Sequence, residues 1–149
     1  MAQVTVQAED FDAAAEIEAA TRGRTDIGAV VTFSGRCRGD DGLAALDIEH
    51  YPGMADAEIL RVAAKAEARW PLQACRVIHR YGAIGPGQNI VFVLTASAHR
   101  SDAFAAADFL MDFLKTRAPF WKRNRHVDGS AGEWVAPKSK DDVATRRWT

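Results

Sequence analysis

Cationic side chains gather where the hydrophobic pattern of this chain breaks off: Arg36 and Arg38, His99 and Arg100, Lys115, then Lys122 and Arg123. Such breaks mark the ends of strands and helices, where binding and catalytic groups are commonly mounted on a rigid scaffold. Arginine grips a phosphate through a forked pair of hydrogen bonds. Lysine is a compact charge whose proton affinity falls beside other cations or in a dry pocket. Arginines that hold an anion and lysines that react are the chemistry this set implies. Taken singly, each residue is better explained as a solvated surface charge, and Lys115 at a helix end also suits the negative pole of the helix dipole. The functional reading rests on the gathering.

Cys37 lies between Arg36 and Arg38, a setting that raises the thiolate fraction of a thiol. A thiol-dependent transferase is therefore a rival reading, although a lone cysteine at a strand end is more often a small buried filler. The histidines show neither a His-x-x-x-His nor a Glu-x-x-His pair, and no metal site is expected. Gly85-Pro86-Gly87 is followed by a strand pattern rather than a helix, which excludes a phosphate-binding loop of the nucleotide type.

The elements that must position these groups follow from periodicity. Gln3 to Gln7 alternates as a strand, and Asp10 caps a short helix through about Ala20. Ile27 to Gly35 is nearly continuously apolar, the pattern of a central strand covered on both faces. Leu43 to His50 resumes as a strand beyond a Gly/Asp-rich loop, predicting a hairpin with Arg36 and Arg38 near its tip. Ala55, Ile59, Val62, Ala63, Ala66 and Trp70 recur at helical spacing until Pro71. Cys75 to Tyr81 and Asn89 to Ser97 read as a second hairpin around the 82–87 turn. Ser101 caps a long helix ending near Arg117 before Pro119, a basic stretch runs from Phe120 to His126, and a short strand is expected over Glu133 to Ala136.

The chain has 149 residues, 48% hydrophobic and 26% charged, enough for one ordinary globular domain with a single core. A formal net charge of -1 gives no global attraction to nucleic acid or an anionic membrane. No apolar run approaches the roughly 20 residues of a membrane helix. No secretory signal opens the chain, so a cytoplasmic address is expected. The two cysteines lack Cys-x-x-Cys spacing, against a disulfide scaffold or zinc ribbon. One α+β domain over residues 1–149 results, with a flexible tail from about 138.

Several segments in order carry a resemblance: 28–35 (GAVVTFSG), 49–54 (EHYPGM), 78–80 (IHR), 97–100 (SAHR) and above all 114–122 (LKTRAPFWK). Together they resemble the large, catalytic subunit of molybdopterin synthase. The resemblance implies an α/β hammerhead-type domain with antiparallel sheets and flanking helices. It further implies a homodimer within a heterotetramer, with a small ubiquitin-like sulfur-carrier subunit docked at each end. In that family the carrier's C-terminal Gly-Gly thiocarboxylate delivers sulfur to cyclic pyranopterin monophosphate, forming the molybdopterin dithiolene without a metal or organic cofactor. By motif match, Lys115 and Lys122 are similar to the essential lysines. Arg38, His99 and Arg100 resemble the substrate-anion pocket, the neighbouring Arg36, Cys37, Arg123 and Asn124 are further binding candidates, and Phe33 and Met111 match positions near the carrier tail. Lys138 stands where the family is expected to carry an arginine reaching across the dimer, and the loop after Arg38 is short. The rival from another class is a non-catalytic adaptor that only docks a ubiquitin-like carrier.

Overall fold

The computed structural model describes residues 1–40, 42–135 and 146–148. Its elements run β1 (Gln3–Gln7), α1 (Ala13–Thr21), β2 (Ala29–Arg36), β3 (Leu43–His50), α2 (Met54–Arg69), β4 (Leu72–Arg80), β5 (Gly82–Ile84), β6 (Asn89–Ser97), α3 (Arg100–Thr116) and β7 (Phe120–His126). They form two sheets, ordered β1-β4-β6-β2 and β5-β3-β7. All pairs are antiparallel except β1 with β4.

Strand β6 is the spine of the larger sheet, and its residues from Ile90 to Ser97 are all buried. Because side chains alternate across a strand, Val91 and Val93 join Ile59, Val62 and Ala63 of α2 and Leu110 and Phe113 of α3 in one core. Phe92, Leu94 and Ala96 face the other way, against Phe11 and Ile17 beside α1. An unbroken apolar run thus means a strand buried on both sides here.

The same reasoning fails for β2. It was expected to be central, yet it lies at the edge of the sheet, paired only with β6, and leaves Val30 39% and Phe33 40% exposed. Nor do β2 and β3 form the expected hairpin. β2 pairs with β6, while β3 crosses to the smaller sheet between β5 and β7. The chain after Arg36 is captured instead by the 85–88 turn: Cys37 donates its N–H to the Gln88 carbonyl at 2.9 Å, and Gly87 returns one to Cys37 at 2.7 Å. The β4–β6 hairpin forms as expected, but its connection contains β5, which leaves to pair with β3.

Several end signals also shift. Asp12, not Asp10, caps α1, accepting from the Ala15 N–H at 3.2 Å. α3 starts at Arg100 with His99 in the cap position and no side-chain cap, so Ser101 lies inside the helix. The 120–126 stretch is itself a strand, and among the described residues beyond it isolated bridges, Lys122 with Val135 and Arg125 with Ala131, stand where a strand over 133–136 was expected, Ala136 lying outside the described residues. Most of the tail expected to be flexible from about 138, Lys138 included, lies outside the described residues. Residues 146–148 are pinned: Trp148 meets Trp70 and Phe109 edge-on at 5.8 and 5.6 Å, and Arg69 donates to its carbonyl at 3.0 Å.

Candidate functional site

The strand registers sort the candidate residues by position. Arg36 lies opposite Asn89, and His79 opposite Val91, so the C-terminal ends of β2 and β4 and the start of β6 share one end of the larger sheet. α3 begins just past Ser97, at the other end. Thr95 Oγ1 donates to the Ala103 carbonyl at 2.7 Å, and the helix runs back along β6 and β2. Its last turn returns Lys115 to the end that carries Arg36, Cys37, Arg38 and His79. The turn at Pro119 then leads into β7, where Phe120 and Lys122 lie opposite His50 and Ile48 on one face.

The floor of this region is aromatic. The His79 ring stacks on Phe120 at 3.7 Å with 13° between planes. His50 packs 4.3 Å from Tyr81 and 6.0 Å from Phe120. Lys122 is half-buried here and Lys115 exposed. Met111 sits one helical turn before Lys115 on the same side of α3, and Phe33 lies on the face of β2 that α3 covers.

His79 was read as a strand residue within one of the resemblance segments and given no role, and the structure buries it at this end of the sheet, stacked on Phe120. Burial holds its pKa down to about 3; the charges of Lys122, Lys115 and His50 push the same way, against a hydrogen bond to the Arg80 carbonyl. The imidazole is therefore neutral at physiological pH. The unfolded chain would protonate at the ordinary 6.5. Stability carried by neutral His79 is thus complete above pH 6.5 and lost as pH falls through the window toward 3, at about 1.4 kcal/mol per pH unit. Urea unfolding of the protein and of His79→Gln at pH 7, 5 and 4 should show a shallower acid loss in the variant. Parallel losses would contradict the assignment.

The other candidates divide. Arg36 donates to the Gly87 carbonyl at 2.6 Å, and Arg38, 87% exposed, lies 3.5 Å from Asp40. Arg123 alternates to the opposite face of β7 from Lys122, where it pairs with buried Asp47 at 3.2 Å and covers the Trp134 ring at 4.4 Å. Asp47 also takes Arg125 at 2.8 Å, so Arg123 belongs to a structural network. Asn124 returns to the Lys122 side, opposite Leu46. His99 and Arg100 are exposed at the start of α3, and fifteen residues of helix put Arg100 about 22 Å from Lys115.

The thiol reading loses its footing. Cys37 is 4% exposed, and burial pushes its pKa up despite the flanking arginines. A buried neutral thiol is a poor nucleophile. Cys37→Ser should leave turnover within about threefold of the parent, with a modest loss of stability; abolished turnover in a folded variant would restore the thiol reading.

The comparisons with known proteins agree with one another. The family model described as "MoaE protein" matches residues 6–117. The molybdopterin synthase catalytic subunit of Mesorhizobium japonicum is 62% identical over 146 residues, covering 97% of this chain and 92% of that protein. Among solved structures, the molybdopterin biosynthesis MoaE protein from Burkholderia ambifaria superposes with a TM-score of 0.85 at 44% identity, covering 99% of this chain and 98% of that one. The molybdopterin synthase of Staphylococcus aureus gives 0.79 at 25% identity, covering 91% and 98%.

Proposed function

This chain belongs to the MoaE protein family, and from that premise we propose that it is the catalytic subunit of a molybdopterin synthase. It takes sulfur from the C-terminal thiocarboxylate of a small ubiquitin-like carrier and places two sulfurs on cyclic pyranopterin monophosphate. The observation that carries the reading is the convergence of Lys115 from α3 and Lys122 from β7 on one end of the fold, above the buried neutral His79. A docking adaptor has no need of two lysines brought to one end of the fold beside an aromatic floor.

The thiocarboxylate sulfur attacks the precursor, the cyclic phosphate opens, and water releases the carrier from a covalent monosulfurated intermediate; a fresh carrier repeats the sequence. Each step builds negative charge on a phosphate or an acyl oxygen. Fixed cations in a poorly hydrated pocket stabilise that charge without reorganising. Lys122 and Lys115 supply the charge and a mobile proton, Arg36 and Arg38 at the same end hold the phosphate, and Phe33 and Met111 flank the carrier tail beside α3.

The His99–Arg100 pair is separated from its own protomer's lysines by the length of α3, so it serves the site from a second copy. The homodimer sets the start of one protomer's α3 against the lysine end of its partner, within a heterotetramer carrying two carriers. The reading requires no metal or organic cofactor, and the enzyme works in the cytoplasm. No described helix is long and apolar enough to cross a membrane, and both cysteines are free.

The test combines purified protein, thiocarboxylated carrier and the cyclic pterin, with molybdopterin read as its fluorescent oxidation product. Product that needs both protein and thiocarboxylate is the expected result. Tight carrier binding without product would establish the adaptor instead.

A further inference from the structure

Lys115, Lys122, Arg36 and Arg38 answer to the phosphate of the substrate, but none of them takes its ring system. A second concavity adjoins Lys122. Glu49, His50, Tyr51, Trp121 and Trp134 line an open cleft of about 280 Å³, close to the lower bound of roughly 300 Å³ for small-molecule sites. Its walls are aromatic rings left open to solvent. Tyr51 is 58% and Trp134 39% exposed, although burying such rings is among the largest gains a fold can make. Each ring is nonetheless held in place. Tyr51 and Trp121 meet edge to face at 5.2 Å and 86°, and the Arg123 guanidinium lies over the Trp134 ring at 4.4 Å. Exposed, preset aromatic faces of this kind take flat rings by stacking.

A carboxylate stands at one wall. Glu49 is exposed and lies opposite Trp121 in the β3–β7 register. The arginines that share this face of β7, Arg123 and Arg125, both turn to Asp47, at 3.2 and 2.8 Å. An ionised carboxylate only accepts, so Glu49 suits a ligand edge that carries adjacent N–H donors.

The cleft and the lysines are neighbours. Trp121 precedes Lys122 in β7, one residue or about 3.8 Å along the chain, with its side chain on the other face of the strand. The cleft reaches both faces because it lies at the end of the sheet. His50, from the Lys122 face, lines it together with Glu49 and Trp121 from the other. Along the outer edge of β7, Lys122 exchanges backbone hydrogen bonds with Val135 at 2.7 and 3.4 Å, which brings Trp134 alongside.

We infer, resting on the functional reading above, that this cleft seats the pterin ring of the substrate. Trp121, Tyr51 and Trp134 flank the ring, and Glu49 accepts from the amino group and the neighbouring ring N–H of its pyrimidine edge. The two ends of the substrate are thereby told apart: its anionic end faces the lysines, and its donor edge faces the acid. A ring that carries a carbonyl oxygen in place of the amino group sets an acceptor against Glu49 and is disfavoured.

The test uses the complete synthase with its carrier. Trp121→Ala should raise KM for the cyclic pterin roughly 10- to 100-fold while kcat falls less than about threefold, the split expected when binding common to ground and transition states is lost. Glu49→Gln keeps the shape and swaps one accepting oxygen for a donor, and should raise KM about tenfold. Carrier affinity, read by calorimetry, should stay within about twofold in both. Unchanged KM in either variant would overturn the proposal. So would weakened carrier binding with unchanged KM, which makes the cleft a docking surface for protein. Should Trp121→Ala fail to fold, Tyr51→Ala, which removes an exposed ring, takes its place under the same criteria. If the unsubstituted synthase makes no product, the functional reading fails instead, and equilibrium dialysis of pterin against lumazine, which carries an oxygen in place of the amino group, tests the cleft alone. A preference for pterin of about tenfold that disappears in Glu49→Gln supports the seat; equal binding of the two overturns it.

Discussion

Lys122→Ala is expected to lower kcat for molybdopterin formation by about 10²- to 10⁴-fold, the range lost when a positioned proton-transfer or charge-stabilising group is removed. The side chain is half-buried at the start of β7, on the face that packs over Phe120 and His79. A half-buried charge is screened less than one fully at the surface, so it is worth more there. Alanine fits the strand register, because the backbone of Lys122 keeps its exchange with Val135, at 2.7 and 3.4 Å. Folding and carrier binding should therefore survive. Lys122→Arg keeps the charge but holds its proton at every working pH, so it should restore substrate affinity more than turnover. Single-turnover product formation beside calorimetric titration of the carrier measures both quantities. Loss of carrier binding with unchanged chemistry would refute the assigned role.

Gly28→Ala should destabilise the fold by roughly 3 kcal/mol or more, a large effect for adding one methyl group. A Cβ at residue 28 would lie 2.2 Å from the carbonyl oxygen of Ala98, a backbone atom that cannot swing aside. Gly28 also donates its N–H to the Ser97 carbonyl at 3.0 Å, the bond that closes β2 onto the end of β6. Relieving the overlap means parting these segments just where the chain enters His99 and α3. Urea melts of Gly28→Ala against Gly23→Ala separate steric from conformational cost. Gly23 has open space around its Cβ position but a φ of 71°, and its variant should lose only about 1 kcal/mol. Equal losses would show that the close approach at Ala98 is not the cause.

The elements were legible in the sequence because each has a local signature; their partners were not. α2 and α3 follow from apolar spacing, and β6 from an unbroken apolar run buried on both faces. β2 carries nearly the same run, yet it lies at an edge with Val30 and Phe33 open to solvent. Hydropathy registers that a strand is to be covered without saying by which chain. The false hairpin between β2 and β3 has a similar origin. The loop has ordinary hairpin length, but the bonds between Cys37 and the 87–88 backbone are long-range and leave no trace in local residue type. Lys115 and Lys122 were singled out as candidates through their setting at element ends and through family resemblance, and the fold brings them to one end of the molecule. Arg123 was misplaced because strand alternation at 120–126 went unread, so its turn toward Asp47 was hidden. His79 was missed because a histidine in an apolar strand looks like a core residue until the lysines of α3 and β7 are folded over it.

The length of α3 has a genetic consequence. If each pocket joins the lysines of one protomer to the His99–Arg100 pair of the other, two dead alleles can rescue each other. A dimer mixing a His99→Ala, Arg100→Ala chain with a Lys122→Ala chain has one pocket with every defect and one with none. With equal expression and random pairing, about half the dimers are mixed and about a quarter of all pockets are intact. Cells carrying either allele alone would lack the cofactor, whereas cells carrying both would make it.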